Sequence, residues 1–229
     1  MSHYRLPEHC HFSVNGDHCI FLDLLQDRYF GLTPEQTRHF RLLVGGGDAS
    51  SPAVTTLANE LIERGLLTAQ AHRSRPLSAI TLPPPVGSLV DRDADDPPAI
   101  TAWHVIAFGI AVTKATLLLR TRSFLSLISR AQHRRERHRR ALSTADWERA
   151  RSALDTFQWL CPWVYARRDR CYFDSVVVLE YLALFNIFPR WIIGVTSQPF
   201  CAHAWVQLDD FVLNDTPQHV RMFTPIVAS

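Results

Sequence analysis

Three residues that can form a nucleophilic site lie in the last third of this 229-residue sequence, and the first of them is Cys171. Cys171 stands at the start of a long apolar stretch with helical pattern, directly after the charged run 166–170 (ARRDR). A thiol at a helix N-terminus lies in the positive field of the helix dipole, and this field together with a nearby imidazole favours the thiolate. Such a nucleophile needs an imidazole base and a third group that orients the base.

A histidine and an aspartate follow on two adjacent predicted strands. His203 lies in the run 202–206 (AHAWV), and Asp215 ends the next run, 211–215 (FVLND), with Asp209 and Asp210 as the turn. Adjacent strands of a hairpin bring side chains within hydrogen-bonding distance. The order helix-Cys, strand-His, strand-Asp resembles that of papain-like and transglutaminase-like enzymes, so we predict Cys171, His203 and Asp215 as a catalytic triad.

Each triad residue also has an ordinary structural interpretation, as a buried thiol, a core histidine and a turn carboxylate. A zinc site of Cys161, Cys171, Cys201 and His203 is a further alternative, but its spacing is irregular for a structural zinc, and we predict no metal. The five cysteines form no Cys-x-x-Cys pair, and the N-terminus lacks the pattern of a secretory signal. Free thiols and a cytoplasmic location are therefore expected.

The first part of the chain predicts a small α+β domain. Three β-rich runs at 11–14, 19–23 and 28–32 are joined by the hairpin signal Asn15-Gly16 and by a second turn, which predicts a three-stranded meander. Two helices follow, one beginning at Thr33-Pro34 and one near residue 51. We place this domain at residues 1–69 and a Pro- and Asp-rich linker at 70–98.

The second domain, residues 99–229, opens with predicted helices at 100–119, 123–140 and from 143, and a fourth spans 171–186. The run 100–119 is strongly apolar but contains His104 and Lys114, so we predict a buried helix and no membrane span. The net charge of +2 does not indicate a nucleic-acid partner. The expected fold is α+β, with a helical segment leading into a papain- or transglutaminase-like core.

The catalytic part resembles the B proteins of lasso-peptide biosynthesis, which are leader peptidases with a transglutaminase-like fold. The similar segments are RWIIGV at 190–195, QPF at 198–200, AHAWV at 202–206, Asn214-Asp215 and FTPI at 223–226. The resemblance implies hydrolysis of one peptide bond in a ribosomally made precursor, after a leader with Thr at its penultimate position. It also implies that the core peptide passes to an ATP-dependent, asparagine-synthetase-like lasso cyclase, and that ATP is required. After the nucleophile the sequence departs from the family, since YFDS at 172–175 shares only Ser175 with the usual pattern.

The N-terminal part resembles a leader-recognition element, a PqqD-like winged-helix domain. The similar segments are FLD at 21–23, DRYFGLT at 27–33 and ERGLL at 63–67. The resemblance implies that the leader adds a strand beside the third strand and lies against the last helix. The leader-binding residues are then Arg28, Tyr29, Phe30, Gly31, Leu32, Val54, Leu57 and Leu61. For Leu57 and Leu61, a place in the core of the small domain is an equally good interpretation.

The run 130–140 contains six arginines and has three interpretations: a solvated helix face, a docking surface, or a nucleotide or nucleic-acid patch. No glycine-rich phosphate loop accompanies it, so no residue is assigned to ATP. Two other functions stay open at this stage. One is a non-catalytic leader-binding scaffold for a partner enzyme, and the other is a transglutaminase-like acyltransferase.

Overall fold

The computed structural model describes residues 4–45, 51–89, 98–167 and 170–229. The chain folds into two compact units. The first comprises Met1–Leu82, Val195–Cys201 and Thr224–Val227, and the second comprises Pro83–Gly194, Ala202–Phe223 and Ala228–Ser229. The acidic part of the predicted linker, 91–96, lies outside the described residues.

The N-terminal strands form the predicted antiparallel meander. Strands β2 (Cys10–Asn15), β3 (His18–Asp23) and β4 (Arg28–Leu32) follow β1 (Arg5–Pro7), and the sheet order β2-β3-β4 is confirmed. Gly16 in the first turn and Asp27 in the second both have a φ of 52°, the left-handed region that Gly, Asn and Asp tolerate best. In this order β4 is an edge strand, since among the described residues it pairs only with β3.

Helices α1 (Pro34–Gly45) and α2 (Pro52–Glu63) close the core of this unit. Val54 and Leu61 of α2 are fully buried and Leu57 is 4% exposed, in one cluster with aromatic rings of the sheet. This corrects their prediction as leader contacts, because side chains packed inside a core present no surface to a peptide. The apolar helix face serves to hold α2 on the sheet.

The second unit is built from helices and one mixed sheet. Its helices are α3 (Ala102–Thr121), α4 (Phe124–Arg137), α5 (Thr144–Leu160), α6 (Cys171–Ala183) and α7 (Pro217–Val220), with a short 3-10 helix at Cys161–Trp163. Strand β5 (Ser74–Pro76) belongs to the first unit, and the mixed sheet consists of β6 (Gly87–Ser88), β7 (Arg190–Ser197), β8 (Phe200–Leu208), β9 (Phe211–Val212) and β10 (Thr224–Ala228). The predicted helices are present, but α6 ends three residues earlier than expected.

The five-stranded sheet has the order β10-β7-β8-β9-β6. Strand β9 pairs antiparallel with β8, matching Gln207 with Val212, and β6 pairs parallel with β9. Strand β5, in turn, pairs with β1. The segment predicted as a linker therefore contains two short strands. The sequence did not predict them, because the segment is rich in proline and charged residues, which are typical of linkers.

Helix α3 differs from its prediction as a buried helix. Its side chains Ala107, Phe108, Ala111 and Ala115 are buried, whereas Val105 and Ile106 are 50% and 54% exposed. Among the described residues, α3 is the one helix long and apolar enough to cross a membrane, by length and composition alone. Helix α3 lies against the apolar helix α6, and the buried alanines of α3 allow the two helices to pack closely.

Candidate active site

Cys171 is the first residue of α6, as the sequence predicts. The residue before it, Arg170, has non-helical dihedral angles and makes no side-chain cap, so Cys171 itself stands at the open end of the helix. Burial raises the pKa of the Cys171 thiol, but hydrogen bonds from the His203 side chain and from the backbone N–H groups of Ala204 and Tyr172 outweigh burial. The net effect is a pKa below the ordinary value, which favours the nucleophilic thiolate.

His203 connects the thiol to a carboxylate. Its Nε2 lies 2.5 Å from Oδ2 of Asp215, so the other ring nitrogen, Nδ1, is the one that serves Cys171. Burial lowers the pKa of His203, but the hydrogen bonds to Asp215 and Cys171 raise it to about 9. A raised imidazole pKa and a lowered thiol pKa together favour the thiolate–imidazolium pair over the neutral pair.

Asp215 is held as an anion by three donors. Oδ2 accepts from His203 and from Nδ1 of His219 at 2.8 Å, and Oδ1 accepts from the backbone N–H of Thr216 at 2.7 Å. Burial raises the pKa of Asp215, but these hydrogen bonds bring it below its ordinary value. Asp215 can thus orient His203 without taking its proton.

The backbone around Asp215 differs from the prediction. Strand β9 ends at Val212, so Asp215 lies in a bend three residues beyond the strand instead of at its end. The cause is Asn214, whose side-chain oxygen replaces a backbone carbonyl as acceptor for the N–H of Val206, at 2.8 Å. The bend directs the next residue, Asp215, to the imidazole.

His219 is a site residue that the sequence prediction missed. It lies on α7, which Thr216 caps and which Pro217 begins, and its ring is 4.6 Å from that of His203. The signal was present in the sequence, because Thr-Pro predicts a helix start and four residues make one helical turn. That turn places His219 above Asp215, although nearly half of its side chain remains exposed.

A buried polar network joins the elements that carry the triad. Asp174, 2% exposed, accepts hydrogen bonds from the Tyr165 hydroxyl at 2.9 Å, from the Arg167 guanidinium at 3.1 Å and from the Asn214 amide at 2.9 Å. Arg167 also donates to the backbone oxygen of Asn214 at 2.6 Å. Since Asp174 lies one turn after Cys171 and Asn214 precedes Asp215, the network fixes the nucleophile helix against the aspartate loop. Sequence reasoning did not find it, because no spacing rule links these residues.

The alternative zinc site is not supported. Two groups of possible ligands lie close together within the described ranges, His9 with Cys10 and Asp23, and His203 with Asp215 and His219. Neither group contains Cys161 or Cys201, the residues on which the zinc hypothesis depended. Cys161 is buried and Cys201 is exposed.

A thiol activated by an imidazole that a carboxylate orients defines an enzyme site of the cysteine-protease or acyltransferase type. The chain belongs to the transglutaminase-like superfamily, whose sequence model matches residues 109–228, more than half of the chain. The match contains Cys171, His203 and Asp215 and does not include residues 1–108. Comparison with curated proteins and with solved structures found no match.

Proposed function

We propose that this protein is a leader peptidase that cleaves the leader from a ribosomally synthesised lasso-peptide precursor. The observation that carries the proposal is the continuous chain of contacts from the Cys171 thiol through His203 to Asp215. The segments that resemble lasso B proteins, 190–195, 198–200, 202–206 and 223–226, include His203 and lie on both sides of Asp215 in the sequence. They favour a precursor peptide over other acyl donors.

In the proposed reaction, the Cys171 thiolate attacks the scissile carbonyl carbon, and a C–S bond forms as the C–N bond breaks. His203 gives its proton to the leaving amine, which becomes the N-terminus of the core peptide. A water molecule, deprotonated by His203, then hydrolyses the thioester and releases the leader as a carboxylic acid. Asp215 stabilises the imidazolium in both steps. Three groups donate hydrogen bonds to its carboxylate and keep the carboxylate ionised.

For leader recognition, the proposal relies on the edge strand β4. An edge strand presents unpaired backbone N–H and C=O groups to which an extended peptide can add as a further strand. Beside β4, a cavity of about 390 Å³ within the first unit is lined by Tyr29, Gly31 and Leu32, together with His18 and Phe200. We therefore keep Arg28–Leu32 as the leader-binding segment and assign no contact to the buried face of α2.

The product amine would pass to a separate ATP-dependent lasso cyclase of the asparagine-synthetase-like type. We assign the ATP requirement implied by the resemblance to no residue of this chain. A reaction that ends in hydrolysis needs no nucleotide to balance, because water supplies both the hydroxyl and the proton.

The test is incubation of the purified protein with its precursor peptide, followed by mass spectrometry. Hydrolysis predicts a leader fragment with a free carboxylate, and Cys171→Ala should abolish it while leader binding persists. Cys201→Ala is the matched control, since that thiol is exposed and outside the triad. An amine adduct of the leader in place of the acid would identify an acyltransferase. Unchanged cleavage by Cys171→Ala would refute the nucleophile.

A further inference from the structure

A second cleft of the catalytic unit has a strongly basic wall. It is a cavity of about 90 Å³ between the end of α4 and strands β7 and β8, and its lining includes the charged residues Arg135, Arg139, Arg140, Arg190 and Asp209. Asp209 lies six residues along the chain from His203, beyond the end of β8. At about 3.3 Å per residue, roughly 20 Å separate the two positions. The cleft is therefore distinct from the triad.

Two arginines near the cleft, Arg134 of α4 and Arg140 beyond its end, have ordinary acidic partners. Arg140 makes two hydrogen bonds to Asp146, of 2.5 and 2.7 Å. Arg134 lies 2.8 Å from the buried carboxylate of Glu180. These two arginines of the basic run 130–140 therefore have a structural role, because each one pairs with a carboxylate of the fold.

The remaining three arginines of the cleft lack such partners. In the described part of the chain, no carboxylate lies within 4.0 Å of Arg135, Arg139 or Arg190. Asp209 is the one acidic side chain among the described lining residues, and its charge acts on Arg135. Burial and then the charges of Arg190 and Arg139 lower the pKa of Arg135, against the opposite effect of Asp209 and Glu136. Arginine stays protonated in proteins, so Arg135 remains a half-buried cation that Arg139 and Arg190 of the same lining repel.

We propose that this cleft binds a phosphate-type oxyanion between the guanidinium groups of Arg135, Arg139 and Arg190. Guanidinium groups match phosphate oxygens in geometry and form paired, charge-assisted hydrogen bonds with them. A cavity of about 90 Å³ exceeds the share of one water molecule, about 30 Å³, and accommodates a tetrahedral ion. The ion would neutralise the repulsion that the fold leaves in place.

One wall of the cleft is formed by two stacked rings, those of His138 and Phe188. The ring of His138 stacks on Phe188, with 4.1 Å between ring centroids and 15° between planes. The ligand can accordingly be a free inorganic ion or a phosphoryl group carried by an organic molecule that covers this wall. Both sources share the same chemistry at the arginines, and the probes below distinguish them.

The experiment measures binding, so it does not depend on the proposed peptidase activity. Full-length protein is titrated with inorganic pyrophosphate at constant ionic strength, and the melting temperature is followed together with calorimetric binding. At ten times the dissociation constant, we expect an increase of about 3–6 °C. Double substitution Arg135→Gln with Arg190→Gln should abolish the increase, whereas Arg151→Gln, an exposed arginine of α5 outside the cleft, should leave it unchanged.

The protein without added anion supplies a second criterion. Because Arg135→Gln removes a repelling charge, that variant should melt no lower than the wild type without pyrophosphate and clearly lower with it. Phenyl phosphate is the third probe: tighter binding than inorganic phosphate assigns an organic phosphoester, and equal binding assigns the free ion. A pyrophosphate effect of the same size in the wild type and the double variant would overturn the proposal.

Discussion

Replacing Asp215 by Asn tests whether the carboxylate acts by raising the pKa of the His203 imidazole. Asp215→Asn keeps the size of the side chain and can still accept a hydrogen bond from His203, but the negative charge is gone. The pKa of His203, about 9 in the wild type, should then fall back toward its ordinary 6.5. The thiolate loses its cationic partner as a result, so the pKa of Cys171 should rise.

The magnitude follows from the His203 pKa. The difference between about 9 and the ordinary 6.5 corresponds to roughly 3 kcal/mol in favour of the protonated folded form. Because the folded pKa is raised, this stabilisation is fully present below pH 6.5 and disappears as the pH rises through 9. Asp215 itself has a lowered pKa, so its contribution is present above its ordinary 3.8 and lost only in acid. The deficit of the variant should therefore be largest near pH 6. The full value of about 3 kcal/mol would lower the melting temperature by about 6–12 °C, and the variant loses the part of it that Asp215 supplies, since Cys171 supplies the rest.

The assay is urea or thermal unfolding of both proteins at pH 6 and pH 9.5, with alkylation of the thiol by iodoacetamide. Cys201→Ser is used as the common background because Cys201 is the exposed thiol. Burial raises the pKa of Cys10 to about 12, so that thiol does not compete. A stability deficit of equal size at both pH values, or an alkylation profile that does not move, would refute this account of the triad.

Three further substitutions probe the packing that positions the site. Asn214→Asp puts a second carboxylate 2.9 Å from Oδ2 of Asp174. The pair must then hold a proton, so unfolding in urea should show a loss of about 3 kcal/mol at pH 8 that shrinks toward pH 5; a loss independent of pH contradicts the shared-proton argument. Gly194→Ala would bring a methyl group to 2.8 Å from ring carbons of Trp205, which should cost about 1–3 kcal/mol in thermal unfolding, whereas Gly109→Ala, with nothing within 4 Å, should be neutral or stabilising. Glu180→Gln removes a buried anion from three partly exposed cations and should cost about 2–3 kcal/mol near neutral pH; since the pKa of Glu180 is lowered, the difference from the wild type should begin to shrink below its ordinary 4.5 and vanish only below its lowered folded pKa, as acid unfolding curves will show.

The sequence was most informative where a local rule acts. Asn15-Gly16 determined the first hairpin, and the start of α6 at Cys171 followed from a charged run that ends at an apolar helix. The triad was predictable because two strands joined by a short turn bring His203 near Asp215. Even here, the last step failed by three residues, since the side chain of Asn214 took over a backbone hydrogen bond that strand pairing would have made.

Non-local contacts were beyond the sequence. The apolar face of α2 gives the same periodicity whether it packs on its own sheet or receives a peptide, so burial alone decided between the two interpretations of Leu57 and Leu61. Likewise, α3 has the composition of a core helix, but only Phe108 and three alanines are buried. The pairing of β6 with β9 has no local signal at all, because two residues cannot form a recognisable strand pattern.

That short strand bears on how the protein can be divided. Residues 85–89 hold on to the edge of the catalytic sheet, where β6 is the last strand. The Arg221 guanidinium donates to the Pro85 carbonyl at 2.5 Å, and the Ser88 hydroxyl donates to the Asp215 carbonyl at 2.7 Å. A recombinant fragment that starts at residue 99, where composition places the domain, would lose a support of the triad aspartate. A fragment that starts at Pro83, the first residue of the second unit, would retain this support, so it should keep the triad aspartate better anchored than the fragment that starts at residue 99.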